Sequence, residues 1–202
     1  MIDQRVRPVA NHVLRPLAAR LLHVPPLAIT AIAALFGIAA AITVALGLHW
    51  VALGCWIANR ALDGLDGAVA RGAGTASDLG GYLDMLLDTA VYAAIPIGIA
   101  VHVSTTTTWV TCAVLLATYY VNTISWTYLA ALLEKRGAGA RTTGEHTSIT
   151  MPSGLVEGTE TVVVYVVLLA FPGIAPWTFS AFAIGVAMTA LQRVIWAKRH
   201  LA

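Results

Sequence analysis

Apolar residues run along this chain in long stretches, and the polar breaks between them recur at the spacing a bilayer sets. A helix needs about 20 residues to cross the hydrocarbon core. Six stretches meet that length, over 26–47, 50–71, 79–103, 108–134, 154–172 and 174–197. The connections near 48–49, 104–107 and 172–176 are short and uncharged, whereas 135–153 is a long polar loop. Ahead of the first stretch, residues 3–22 mix two patterns. Arg5, Arg7, Arg15 and Arg20 alternate with Val6, Val9, Val13, Leu14, Leu17, Leu21 and Leu22. Such a segment is expected as an amphipathic helix lying flat on an anionic membrane surface, with Pro8 and Pro16 breaking it into shorter pieces. The pattern therefore predicts an all-α integral membrane protein, a single domain over 1–202, with six spans and an N-terminal interfacial helix.

Composition supports this and excludes an ordinary soluble domain. Hydrophobic residues make up 58% and charged residues 11%, with a mean hydropathy of +0.79; a soluble domain carries about 25% charged residues. The net charge of +2 says less than its distribution. None of the twelve Lys and Arg falls in the three short connections. Cytosolic loops collect Lys and Arg, so both termini and the two loops after the second and fourth stretches are expected on the cytosolic side. Trp50, Trp109 and Trp177 then mark the opposite interface. Cys55 and Cys112 have no metal-type spacing and are expected as free thiols.

One stretch breaks the apolar rule. Residues 59–88 hold Asp63, Asp66, Asp84 and Asp88 in otherwise apolar helix. Each carboxylate costs roughly 2.5–3.5 kcal/mol at the centre of a membrane helix, so four need a function. Asp63 and Asp66 are an i, i+3 pair and Asp84 and Asp88 an i, i+4 pair, spacings that put both members on one helix face. Asp63, Asp66, Gly67, Ala70 and Arg71 share one arc; Gly80, Gly81, Asp84 and Asp88 share another. Two such faces turned together form a cage of oxygens. Carboxylates suit hard cations such as Mg²⁺, Mn²⁺ or Ca²⁺, and four can hold a pair of ions of the kind used in phosphoryl transfer. Arg71 can clamp a phosphate with its planar fork, and the glycines allow a bulky ligand close to backbone. Asp63 stands about 20 Å along its helix from Trp50, in the cytosolic half of the bilayer.

The run Asp63-x-x-Asp66-Gly67-x-x-Ala70-Arg71, eight further residues, then Gly80-x-x-x-Asp84-x-x-x-Asp88 resembles the complete signature of the CDP-alcohol phosphotransferases. The resemblance implies a membrane enzyme of phospholipid biosynthesis that moves a phosphatidyl group from CDP-diacylglycerol to a small polar alcohol and releases CMP. It implies two Mg²⁺ or Mn²⁺ ions on Asp63, Asp66, Asp84 and Asp88, with Asp88 also the general base. It implies a CDP-binding set of Asp63, Gly67, Arg71, Ser77 and Thr30, and a homodimer. Pro26-Leu27-Ala28-Ile29-Thr30 resembles the Pro-Asn-x-x-Thr opening of the family's first span, with Leu27 in place of Asn.

Several positions keep two readings. Ser77 suits the CDP group and equally a helix N-cap. Asn59 is placed to orient Asp63 or to bond a neighbouring helix. For the acceptor, Ser125, Glu157 and Glu160 are the candidates, although acids at 157 and 160 also suit a helix N-terminus. Where relatives that use inositol phosphate carry basic residues, this chain has Tyr128, Ala130 and Gly158, so an unphosphorylated acceptor, including an amine-bearing one, is expected. Two other functions stand beside this one. Transfer of a CDP-linked head group to a lipid alcohol keeps the same motif. A divalent-cation carrier explains the aspartates but not Gly67, Arg71 and Gly80.

Overall fold

The computed structural model describes residue 14 and residues 16–138 and 154–201. Its helices are α1 (Pro26–Ala45), α2 (His49–Gly72), α3 (Asp78–Val103), α4 (Thr106–Lys135), α5 (Gly158–Ala170) and α6 (Ala175–Leu201), with a 3-10 turn at Pro172–Ile174 between the last two. Local chemistry sets their ends. Pro26 stands in the first turn of α1, where a missing N–H costs nothing. Ser77 caps α3 by accepting the Gly80 N–H at 3.1 Å, and Thr105 caps α4 by accepting that of Thr108 at 3.1 Å. Gly47 takes φ +81°, which lets the chain turn from α1 into α2 within a few residues.

Five of the six expected spans match a helix to within a few residues; the fifth needs correction. In place of 154–172 there is a 13-residue helix, about 20 Å long, too short alone for a hydrocarbon core of about 30 Å. Glu157 and Glu160 form a capping box that fixes its start, and Pro172 ends it. By length and composition, Pro26–Ala45, Asp78–Val103 and Pro172–Leu201 are able to cross a membrane. Of the expected interfacial helix, residue 14 and residues 16–20 are helical; residues 3–13 and 15 lie outside the described residues. Ala18 is buried with Ile29, Leu65 and Val69, so this segment packs across α1 and α2.

The packing centres on α1. It lies closely against both α2 and α3, while α2 and α3 touch each other far less. Small residues permit the approach: a Cβ on Gly98 would meet the Ala41 carbonyl oxygen at 2.3 Å. A second unit pairs α4 with α6. The core joining them contains Trp56, Val91, Ile95, Ile99, Leu115, Tyr165, Leu168 and Phe179. Large apolar side chains such as Leu35, Ile184 and Trp177 face outward, as a protein solvated by lipid allows. Trp50, Trp109 and Trp177 are exposed in the first turns of α2, α4 and α6. Cys55 and Cys112 are free thiols.

Candidate active site

The wedge between α2 and α3, backed by α1, is the polar centre of the molecule. Asp63 from α2 and Asp84 and Asp88 from α3 line one narrow pocket, together with Thr30, Ala33 and Ala34 of α1 and Asn59 of α2. The i, i+3 and i, i+4 faces read from the sequence are thus turned toward each other. Asp66, buried beside the pocket, lies within electrostatic reach of Asp84 and Asp88. Thr30 holds it: the Thr30 hydroxyl donates to Asp66 Oδ2 at 2.6 Å. This contact gives Thr30 a definite place at the site.

Arg60 was not among the expected site residues, yet it is the most heavily engaged side chain there. Nη1 and Nη2 grip both oxygens of Asp88, with Nη1 to Oδ2 at 3.1 Å. The same Nη1 lies 3.5 Å from Asp63 Oδ2 and donates to the Tyr92 hydroxyl at 3.2 Å. Nε donates to Asn59 Oδ1 at 2.7 Å. The guanidinium carbon sits 4.7 Å from the Trp56 ring centre and 5.2 Å from that of Tyr92, both within cation–π range. A signal for this existed in the spacing: Trp56, Arg60 and Asp63 lie one helical turn apart, and Tyr92 lies one turn beyond Asp88.

The other expected residues fall as follows. Asn59 donates to the Ala33 carbonyl of α1 at 2.8 Å, the interhelical bond rather than a contact with Asp63. Gly67 is explained by Arg71, because a Cβ there would lie 3.0 Å from Arg71 Nη1. Arg71 itself is exposed near the end of α2. Ser77 and Gly80 form the cap of α3. The acceptor candidates stand apart from the aspartate pocket. Glu157 and Glu160 make the α5 capping box, with the Glu157 N–H donating to Glu160 Oε2 at 3.1 Å. The Ser125 hydroxyl donates to the Asn122 carbonyl at 2.7 Å. Buried Arg193 of α6 donates to Asn122 Oδ1 at 2.6 Å and lies within electrostatic reach of Glu157. These residues form a second polar cluster between α4, α5 and α6.

The donor set of the pocket fits a hard divalent cation, since its acidic ligands are all carboxylate oxygens. Among the described residues no three His, Cys, Asp or Glu side chains are drawn together tightly enough to enclose an ion. Arg60 occupies both oxygens of Asp88.

Comparison with known proteins agrees with this architecture. The chain is 32% identical over 179 residues to the inner membrane protein YnjF of Escherichia coli, a match spanning 85% of this chain and 83% of that protein. Its fold resembles the crystal structure of Mycobacterium tuberculosis phosphatidylinositol phosphate synthase with CDP-DAG bound, with a TM-score of 0.71, 22% identity, and coverage of 91% of this chain and 92% of that one. A second structure of that synthase, in complex with manganese and citrate, gives a TM-score of 0.70 at 20% identity, covering 90% and 87%. The family model for CDP-alcohol phosphatidyltransferases matches residues 23–191. With that match across most of its length, and with the aspartates of α2 and α3 turned toward one pocket, the chain belongs to the CDP-alcohol phosphatidyltransferase family.

Proposed function

We propose that this protein transfers a phosphatidyl group from CDP-diacylglycerol to a small, unphosphorylated polar alcohol, releasing CMP, in phospholipid biosynthesis. The observation that carries the reading is the facing of Asp63 on α2 with Asp84 and Asp88 on α3 across one pocket. The CDP-DAG and manganese complexes of the mycobacterial synthase support the donor and the metal class. In this reading α1 to α6 make six crossings, α5 together with its flanking residues 154–157 and the turn at Pro172–Ile174, with both termini and the pocket reached from the cytosol, and the residue 3–22 segment rests on the membrane surface. The active form is a homodimer.

Asp63, Asp66, Asp84 and Asp88 would hold two Mg²⁺ or Mn²⁺ ions. When bound, the ions neutralise the diphosphate of the donor and stabilise CMP as the leaving group. The rest falls to the protein. Arg71, exposed at the end of α2, binds a donor phosphate oxygen with its fork, and Gly67 leaves room for that guanidinium. Ser77 and Thr30 flank the CDP group from α3 and α1. Thr30 also fixes the Asp66 carboxylate. Asp88 accepts the proton of the acceptor hydroxyl as it attacks the β-phosphate, where proximity offsets the low basicity of a carboxylate. On the acceptor side Ser125, Glu157 and Glu160 receive a hydroxyl or amino group. Tyr128, Ala130 and Gly158 offer no charge to a phosphate.

The test is to incubate the purified protein with CDP-diacylglycerol, Mg²⁺ or Mn²⁺, and a panel of alcohols, following CMP and new lipid. Metal-dependent CMP release with an unphosphorylated alcohol is expected. Turnover with inositol phosphate or glycerol phosphate alone would overturn the acceptor class. CMP release only from a CDP-linked head group with diacylglycerol would reverse the donor.

A further inference from the structure

The Asp pocket contains a cation of its own, and its fixation is unusual for a surface ion pair. Arg60 has only 13% of its side chain exposed. Its N–H groups point at Asn59, Asp63, Asp88 and Tyr92, and its guanidinium lies within cation–π range of the Trp56 and Tyr92 rings. Asn59 is itself anchored to the Ala33 carbonyl, so its oxygen is presented to Arg60 rather than free to turn. The result is a relay of fixed contacts from α1 through Asn59 and Arg60 to Asp88 on α3. A guanidinium serving only to join two helices needs one acidic partner anywhere along them. This one takes both oxygens of the last aspartate of the motif and lies near one oxygen of the first.

Bidentate pairing is the strongest geometry a carboxylate and a guanidinium share, and it leaves each oxygen of Asp88 with reduced capacity for another ligand. Several carboxylates around one pocket in an apolar bundle also repel one another, and removal from water strengthens that repulsion. We propose that Arg60 is a positioning residue and built-in counter-cation: it holds Asp88 by both oxygens, offsets the repulsion among the pocket carboxylates, and competes with a divalent ion for the same oxygens. The inference rests on the reading of this pocket as the metal centre. It concerns how the protein tunes that centre rather than which residues ligate it.

The experiment measures Mn²⁺ binding by electron paramagnetic resonance, and thermal unfolding with EDTA or with Mn²⁺, on the purified full-length protein in detergent without CDP-lipid. Three forms are compared: wild type, Arg60→Gln and Arg60→Lys. Arg60→Gln removes the competing charge, so Mn²⁺ should bind about tenfold or more tightly. Its stability in EDTA should fall, and Mn²⁺ should raise its Tm by more than it raises that of wild type. Arg60→Lys keeps the charge but loses the bidentate fork, so its Mn²⁺ affinity should fall between those of wild type and Arg60→Gln. A purely structural arginine would lower Tm equally with and without Mn²⁺ and would leave affinity unmoved. Unchanged or weaker Mn²⁺ binding in Arg60→Gln overturns the proposal, as does an Arg60→Lys variant shifted as far as Arg60→Gln. An Arg60→Gln protein that cannot be recovered even when purified in Mn²⁺ also overturns it. If wild type itself binds no Mn²⁺, the metal-centre reading fails first and the inference with it; if wild type binds and Arg60→Gln does not differ, only the inference fails.

Discussion

The Thr30–Asp66 contact is where α1 enters the site, and its strength can be tested alone. The Thr30 hydroxyl has one proton and two acceptors in range, Asp66 Oδ2 at 2.6 Å and the Pro26 carbonyl at 3.1 Å. The shorter contact to a carboxylate takes it. Both residues are buried, Thr30 6% and Asp66 5% exposed, so water is poorly placed to replace the hydroxyl. A hydrogen bond to a charged group contributes about 1.5–3 kcal/mol, against about 0.5–1.5 kcal/mol between neutral groups. Thr30→Val keeps the branched shape and deletes the donor, and should cost about 1.5–3 kcal/mol in the native protein. In an Asp66→Asn background the same change removes only a neutral bond, at about 0.5–1.5 kcal/mol. The double-mutant cycle should therefore give a coupling of about 1–1.5 kcal/mol. It is read by unfolding the four forms in detergent with EDTA, so that metal binding does not enter. Thr30→Ser keeps the hydroxyl and should recover most of the loss. A coupling under about 0.3 kcal/mol, within the scatter of additive sites, would mean that Thr30 does not hold Asp66.

Two further predictions follow from the same geometry. Asp88→Asn should lower CMP release by about 10²–10⁴-fold, the span of general-base catalysis, while part of CDP-lipid binding survives; near-normal turnover would remove Asp88 from the base role and favour direct activation of the acceptor by a metal. Gly98→Ala would push a Cβ to 2.3 Å from the Ala41 carbonyl oxygen, so overpacking should destabilise the α1–α3 contact by about 1–3 kcal/mol; a Tm equal to wild type would show that the two helices do not need this approach.

What the sequence made legible was periodic. The spacing of Asp63 with Asp66 and of Asp84 with Asp88 is a helical repeat, so the faces they share follow from 3.6 residues per turn, and the pocket has Asp63, Asp84 and Asp88 on one lining. Thr30 was identified by resemblance alone, and its bond to Asp66 supplies a physical role. What stayed hidden depends on how helices rotate against one another. Which aspartate Arg60 pairs with cannot be read from spacing along one helix, because Asp88 and Tyr92 belong to a different helix. The fifth apolar stretch read as a full span because hydropathy does not register a cap. Glu157 and Glu160 bond to each other's backbone and delay the helix to Gly158. Their acidity therefore serves the helix start, whatever they also offer an acceptor.

The backbones of the two motif helices stand apart, and the helices meet through side chains, Arg60 of α2 with Asp88 and Tyr92 of α3 and Trp56 with Tyr92. Asp63, Asp84 and Asp88 lie close enough across the gap to interact, with Arg60 reaching both Asp63 and Asp88. Both helices lean on α1, which carries small residues where it meets them. A Cβ on Gly37 would lie within 2.6 Å of both Val91 methyl carbons on α3 and 3.1 Å from Asn59 Nδ2 on α2. One glycine thus lets α1 sit against both neighbours at once, while the space between those neighbours stays open. The lining that α1 gives to this space is Thr30, Ala33 and Ala34, all short side chains. The carboxylates already face this gap, and a cation entering it meets Arg60 at Asp88 rather than a packed seam between helices.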